Sequence, residues 1–280
     1  MKKFGLIGHP IAHSLSPALF KAGYDDRYPY ELIETADFEE AYSRFLNEYD
    51  GINVTAPFKE MAFAKADIHS EECLRTGAAN LLVKTDEGIK AFNSDYLGVR
   101  MLLSDVLQKA KSVLPPWPQG EGPAPSEWEG FFSLSAARRT ATALIVGMGG
   151  AGKAAAAAAE SLGMEVVRMN RTIRDSETRP LCDFREEFRK ADIIIYNIPT
   201  AIEGLEELTD NDFTPGKPKV ILEANYRNPS FDQTFIGRMK KANPMAEYID
   251  GKAWLLYQAV SGYEILTGEK PDLEKMSTVL

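Results

Sequence analysis

The segment LIVGMGGAGKAAAAAAE (144–160) constrains this chain more than any other. It reads as a buried strand, a glycine turn and a helix in immediate succession. Gly147, Gly149 and Gly152 fall on the spacing G-x-G-x-x-G, which permits a tight turn and lets a pyrophosphate approach the backbone at a helix N-terminus. Gly147, Gly152 and Lys153 also come close to a Walker A loop. That loop needs a Ser or Thr hydroxyl next, to hold Mg²⁺ beside the phosphates, and the residue here is Ala154. The alanine run 154–159 suits a helix lying close against a sheet, alanine having the best helix propensity.

The strand after this helix separates the two common dinucleotides. An NAD-type site places Asp or Glu roughly 20 residues past the glycines, where it accepts from the ribose hydroxyls. This strand ends RMNRTIRD, with Asn170, Arg171, Thr172 and Arg174 at or just past its end. Guanidinium groups bind a phosphate bidentately, and Thr and Asn add hydrogen bonds, so the pattern predicts a 2′-phosphate and hence NADP.

Alternating strand and helix signals continue on both sides, which predicts an α/β protein. In the first part FGLIG, YELIE and INVT read as strands, and residues 80–84 and 89–93 as a hairpin. Ser16-Pro17 predicts a helix start with Ser16 as its N-cap, and Asp37 has capping-box spacing to Glu40. Asp95 is a second candidate cap, for a helix over 96–110. From 141 a parallel, doubly wound sheet is expected, and 251–267 reads as one long helix. Residues 111–139 hold five prolines in a 19-residue stretch, which marks an insertion or linker. The expected division is 1–110 plus 240–280 as a substrate domain and 140–239 as a Rossmann domain.

A net charge of −9 argues against a broad nucleic-acid surface. Cys73 and Cys182 make neither a disulfide framework nor a four-ligand metal site, and both read as core residues; no metal is expected. The absence of a signal-peptide pattern and of a long apolar run makes the cytoplasm the expected compartment.

A Rossmann half implies that the other half holds the substrate. Its polar residues gather at strand ends, where α/β folds assemble sites: Thr55 and Lys59 in NVTAPFK, Asn80 in GAAN, Asn93 and Asp95 in NSDYLG. A lysine ammonium can give its proton to a carbonyl under reduction, with an aspartate holding it in place. His9, His13 and His69 read as loop or surface residues.

Taken together these motifs resemble the shikimate dehydrogenase family over nearly the whole chain. GHPIAHSLSP resembles its N-terminal substrate loop, NVTAPFK its catalytic turn, GAAN its asparagine turn and NSD its N-T-D. GMGGAG and NRT resemble its NADP loop and phosphate clamp, and ANYRNP and GKAWLLYQA its late tyrosine and glutamine segments. The resemblance implies reversible NADPH-dependent reduction of 3-dehydroshikimate to shikimate, in aromatic amino-acid biosynthesis. It implies Lys59 and Asp95 as the catalytic pair, with Ser14, Ser16 and Tyr226 on the substrate carboxylate. Thr55, Asn80 and Gln258 would contact the ring hydroxyls or the carboxylate edge. Gly147, Gly149, Gly150, Gly152, Asn170, Arg171, Thr172 and Arg174 would hold NADP. Partners are then a small-molecule substrate, no nucleic acid and no membrane, in a monomer or homodimer. The chain departs from the family in having Ser94 for the usual Thr, Ala79 for Val, and YNIPT near the nicotinamide.

Rival readings are a quinate-type dehydrogenase, a folate-type methylene dehydrogenase, a phosphotransferase built on the near-Walker loop, and a non-catalytic ligand sensor. The Ser-x-Ser loop and NSD speak against the second, Ala154 against the third, and the intact Lys59–Asp95 pair against the fourth.

Overall fold

The computed structural model describes residues 1–112, 140–173 and 175–280. Most of the Pro-rich segment expected as an insertion, and Arg174, lie outside the described residues.

Two six-stranded sheets form the molecule. The first is ordered β2-β1-β3-β5-β6-β4, from β1 (Phe4–Gly8), β2 (Tyr30–Glu34), β3 (Gly51–Val54), β4 (Ile68–His69), β5 (Leu81–Thr85) and β6 (Gly88–Phe92). All neighbours run parallel except β5, which is antiparallel to both β3 and β6. The expected hairpin is therefore present. Strands β1 and β3 are buried along their whole length, as continuous apolar runs in a covered sheet should be. Helices α1 (Ser16–Tyr24), α2 (Phe38–Glu48), α3 (Lys59–Lys65), α4 (Glu71–Thr76) and α5 (Ser94–Ser112) complete this part.

The second sheet contains β7 (Thr142–Val146), β8 (Glu165–Asn170), β9 (Thr178–Pro180), β10 (Ile193–Tyr196), β11 (Lys219–Glu223) and β12 (Ala246–Ile249). Its order is β12-β11-β10-β7-β8-β9, all parallel. Counted from β7, this is the 3-2-1-4-5-6 arrangement of a dinucleotide-binding fold, with its switch point between β7 and β10. Helix α6 (Gly150–Ser161) follows β7, and α7 (Phe184–Lys190), α8 (Glu203–Glu206) and α9 (Gln233–Ala242) pack around the sheet. All six alanines 154–159 are buried, because α6 is enclosed between the sheet and Val99, Leu103 and Val106 of α5. Ala154, where a Walker loop needs its hydroxyl, is one of them, so that position faces core.

The expected boundary at 240 is wrong by about ten residues. Strand β12 pairs with β11, so the chain leaves the second sheet only after Ile249. Helix α10 (Gly251–Thr267) then returns to the first unit, where Ala259, Tyr263 and Leu266 join Phe4, Leu19 and Phe20 in one core cluster. Helix α11 (Leu273–Ser277) closes the chain against α1.

Two helix starts also differ from expectation. The N-cap of α1 is Leu15, and the Ser14 hydroxyl, not Ser16, accepts from the Ser16 amide at 3.2 Å. Helix α5 begins at Ser94, and Asn93 Oδ1 accepts from the Tyr96 amide at 3.2 Å. Asn93 thus does the capping and Asp95 is free of it. At α2 Asp37 does cap, accepting from the amides of Glu39 and Glu40, but the box does not close on Glu40: the Asp37 amide donates to Thr35 Oγ1 at 3.1 Å. Of the cysteines, Cys73 is core, its thiol pushed up to about 12 by burial, whereas Cys182 is exposed. Among the described residues no helix is long and apolar enough to cross a membrane. No group of three or more His, Cys, Asp or Glu among them could hold a metal ion.

Candidate active site

Strand β3 ends at Val54, and the turn through Pro57 carries the chain into α3, whose first residue is Lys59. The lysine is thereby aimed off the end of the sheet. Its Nζ lies 2.5 Å from Asp95 Oδ2, and the side chains are 20% and 16% exposed. Asp95 comes from the first turn of α5, and its carbonyl accepts from Trp254 Nε1 at 3.1 Å, which ties it to α10.

This pair borders a chamber of about 500 Å³ at the C-terminal ends of β1 and β3. Ser14 and Ser16 form one wall, their hydroxyls 3.1 Å apart. Thr55, half-buried, points in from the strand end. The opposite wall is a connected chain: Asn80 Nδ2 donates to Ser94 Oγ at 3.0 Å, and Ser94 Oγ donates to Gln258 Oε1 at 3.2 Å. Asn80 Oδ1 accepts from the Ser94 amide at 2.7 Å, so the asparagine is held at both ends. Tyr226, from the loop after β11, lines the chamber from the side of the second sheet. Its neighbour Arg227 donates to the carbonyl of His13, joining that loop to the N-terminal one.

Two glycines set the spacing of α5 and α10, and with it the positions of Ser94 and Gln258. A Cβ on Gly98 would stand 2.5–2.8 Å from the backbone N, Cα and Cβ of Gln258. One on Gly262 would stand 3.0 Å from Ser94 Oγ. Only bare backbone lets the helices meet this closely.

Three lining residues escaped the sequence reading. Asn53 lies two residues before Thr55 on β3, and period-2 alternation puts both on one face; its Oδ1 accepts from Tyr30 OH at 2.8 Å. Trp254 is one helical turn before Gln258, so i,i+4 spacing gives it the same face. Tyr263 lines the floor and donates to the Ser16 carbonyl at 3.0 Å. Burial pushes the phenols of Tyr263 and Tyr30 up, keeping both as neutral hydrogen-bonding groups. His9 and His13 are exposed and border the chamber, while His69 lies elsewhere, against the Phe63 carbonyl.

On the other side of the crevice lies the glycine turn. Gly147 has φ +92°, and a Cβ on Gly152 would fall 1.9 Å from the Gly147 carbonyl oxygen, so neither accepts a side chain. A Cβ on Gly149 would meet nothing within 4 Å: the backbone there is open to a ligand. A cavity of about 850 Å³ runs from this turn past Asn170, Arg171 and Asn197. A second, of about 500 Å³, is bordered by Gly150, Lys153, Asn170, Arg171 and Thr172. Asn170 Nδ2 donates to the Thr172 carbonyl at 3.1 Å, which orders the strand end. Open glycine backbone, a helix N-terminus and arginine at the second strand end fit a phosphorylated dinucleotide.

The two sides meet. A Cβ on Gly150 would lie 3.6 Å from Lys59 Cδ, and Ala151 of the glycine turn lines the chamber itself. Fold and site together define a two-domain dinucleotide-dependent oxidoreductase, with a polar substrate chamber beside its nucleotide loop.

Comparison with known proteins narrows this class. Residues 6–82 match the shikimate dehydrogenase substrate binding domain, and residues 124–232 the NAD binding domain of D-isomer specific 2-hydroxyacid dehydrogenases. The N-terminal part of the chain is thus similar to the substrate domain of shikimate dehydrogenases, and its second part to a dehydrogenase NAD binding domain. The chain is 26% identical to the shikimate dehydrogenase (NADP(+)) of Legionella pneumophila over 99% of this chain and 97% of that protein. The crystal structure of shikimate 5-dehydrogenase from Thermus thermophilus in complex with shikimate superposes with a TM-score of 0.69 at 27% identity. It covers 100% of this chain and 97% of that one. Quinate dehydrogenase from Corynebacterium glutamicum in complex with NAD shares the fold, with a TM-score of 0.70 at 18% identity over 99% of this chain and 98% of that one.

Proposed function

We propose that this chain is a shikimate dehydrogenase, reducing 3-dehydroshikimate to shikimate reversibly with NADPH. Residues 1–112 and the two C-terminal helices form the substrate domain, and 140–249 the NADP domain. The observation that carries the reading is the position of Lys59, held by Asp95 at 2.5 Å and lying against the glycine turn at Gly150. Support comes from relatives that are shikimate dehydrogenases (NADP(+)), and from the Thermus thermophilus enzyme solved with NADP(H) and shikimate, 25% identical with a TM-score of 0.70 over 100% of this chain and 98% of that one.

When bound, NADPH supplies the hydride to the carbonyl carbon. Lys59 Nζ gives its proton to the carbonyl oxygen, so the alkoxide never has to form free in the crevice. Asp95 fixes Nζ in the direction of that oxygen, and the partial exposure of the lysine lets it recover a proton from water. Ser14, Ser16 and Tyr226 hold the substrate carboxylate through hydroxyl donors, which need no cation. Thr55, Asn80 and Gln258 meet the ring hydroxyls. Asn80 is locked from both sides by Ser94, so its orientation is set before substrate arrives. Arg171 and Thr172 take the ribose phosphate.

The test is an assay of NADPH consumption with 3-dehydroshikimate and with 3-dehydroquinate. We expect the higher kcat/KM for 3-dehydroshikimate. Turnover of 3-dehydroquinate alone would replace the reading with a quinate-type enzyme, and no turnover of either would favour a ligand sensor.

A further inference from the structure

Lys153 follows the third glycine and stands in the first turn of α6. Its Nζ lies 2.9 Å from Oε1 of Glu60, across the crevice on α3, immediately after Lys59. The two side chains are 41% and 72% exposed. Both border the cavity that Arg171 and Thr172 also border. Neither residue has a part in the chemistry described above, yet together they bridge the two domains beside the phosphate end of the cofactor site.

The charges around that cavity decide what the bridge can do. Among the described residues its cations are Lys153, Arg168 and Arg171, and its carboxylates Glu60, Asp175 and Glu177. Arg168 is committed, pairing with Glu160 and reaching Glu177 at 3.7 Å. Asp175 is turned onto the amides of Glu177 and Thr178, at 3.0 and 2.8 Å, and hydrogen bonding to Thr178 holds its carboxyl below the usual range. An arriving phosphate dianion therefore finds Arg171, and then Lys153 if Lys153 lets go of Glu60. An ion pair this exposed is weak, whereas a charge-assisted bond to a phosphate is strong. The exchange of a weak exposed pair for a charge-assisted bond runs downhill.

Resting on the NADP reading, we infer that Lys153 is a cofactor-selecting residue that exchanges Glu60 for the phosphate on the adenosine ribose. A dinucleotide without that phosphate brings no anion to this corner and leaves the bridge closed. Glu60 is accordingly the guard of the site: its carboxylate competes with the 2′-phosphate and with nothing else on the cofactor.

The experiment compares binding of adenosine 2′,5′-bisphosphate and AMP to the full chain by calorimetry. These probes differ only in the 2′-phosphate. In Lys153→Met we expect the bisphosphate to bind roughly tenfold more weakly and AMP to change less than about twofold. In Glu60→Gln the bisphosphate should bind about two- to fivefold more tightly, again with AMP unmoved. Equal losses for both probes in Lys153→Met would overturn the proposal by assigning Lys153 to the phosphate they share. Unchanged or weaker bisphosphate binding in Glu60→Gln would overturn the exchange. A wild-type chain without preference for the bisphosphate would instead sink the NADP reading. A preference lost in Arg171→Ala but kept in Lys153→Met would sink only the role of Lys153.

Discussion

In the substrate chamber most polar side chains are already bonded to one another, whereas around the nucleotide turn much of the surface awaits a ligand. Asn80, Ser94 and Gln258 form one chain of hydrogen bonds, Lys59 and Asp95 another, and Ser14 and Ser16 a third. Across the crevice Gly149 offers bare backbone, Arg171 lines two cavities, and Lys153 sits in an exposed ion pair. The chamber has its geometry fixed in advance, which is what a reaction needs from groups that meet developing charge. The crevice keeps its cations available, which is what affinity for a large anion needs. Substitutions should divide accordingly, with turnover and substrate terms changing on one side and cofactor affinity on the other.

The largest effect should be at Lys59. In Lys59→Ala we expect kcat to fall roughly 10²- to 10⁴-fold, the range of a lost general acid, with KM for the substrate within about threefold. Lys59→Arg should not rescue, because a guanidinium does not release its proton near neutrality. Steady-state kinetics in the direction of reduction checks both. Turnover within tenfold of wild type in either variant would remove the lysine from the chemistry and the chamber from its side of the contrast.

Next come two glycines that separate the regions cleanly. In Gly152→Ala the new Cβ would fall 1.9 Å from the Gly147 carbonyl, so the turn must open; a loss of about 3 kcal/mol in stability and of most cofactor binding should follow. In Gly98→Ala the clash is with the Gln258 backbone, and the cost should be roughly 1–3 kcal/mol. There α5 and α10 are pushed apart, carrying Ser94 and Gln258 with them. Substrate KM should rise at least about tenfold while cofactor affinity stays. Thermal melts with separate titrations of each ligand would tell them apart. Equal damage to both ligands in Gly98→Ala would mean that the two sites are one mechanical unit.

How much of this was legible in the sequence depended on whether the interaction was local. The glycine turn, its strand and its helix lie within 20 residues, and their chemistry could be read directly. The same holds for α10, whose residues 251–267 read as one long helix. Strand β12 was missed because AEYI is short and only partly buried at the sheet edge, so no apolar run announces it. The helix caps show a different limit. SLS holds two capping candidates and NSD three, each set within three consecutive residues, and local propensity cannot choose between them. At NSD the choice is made by Asn80 and Gln258, 14 and 164 residues from Ser94, which draw the serine into the chamber wall. Asn53 and Trp254 were within reach of periodicity, each sharing a face with a residue already singled out. Tyr263 was not, since its bond to the Ser16 carbonyl spans 247 residues.

A lysine in the nucleotide domain sharpens the contrast with Lys59 at smaller cost. Lys219 is 1% exposed, and its Nζ donates to the carbonyls of Phe188 and Ala191 at 2.7 and 2.6 Å, beneath the Phe188 ring. Burial pushes it down to about 8 from 10.5. Between those values the unfolded chain binds the extra proton, so stability rises with pH there. Below pH 8 both states are protonated and the burial penalty is present in full. The gain should be on the order of 2 kcal/mol. Buried tyrosines act oppositely above their ordinary value: Tyr24, raised to about 12 by burial, loses its stabilising contribution as pH passes 10. The measurement is therefore wild type minus Lys219→Met in denaturant melts between pH 8 and 10. A slope that persists in the variant would show that Lys219 is not its source.

The smallest expected effect bears most directly on the crevice. Arg171 is exposed at the end of β8 and borders both cavities beside the glycine turn. A guanidinium in that position contributes only when a phosphate arrives, because no other described group draws it into a hydrogen bond or ion pair. Arg171→Ala should weaken NADPH roughly tenfold, about 1.4 kcal/mol, and leave NADH within about twofold. Stability and kcat at saturating cofactor should not move, since the residue supports neither packing nor proton transfer. Fluorescence titration of the two reduced cofactors gives the affinities, and a melt gives the stability. If NADPH and NADH weakened together, Arg171 would be holding the pyrophosphate they share, and the second cavity would lose its claim to the ribose phosphate. If kcat fell as well, the crevice would be as preorganised for reaction as the chamber, and the division between the two regions would not hold.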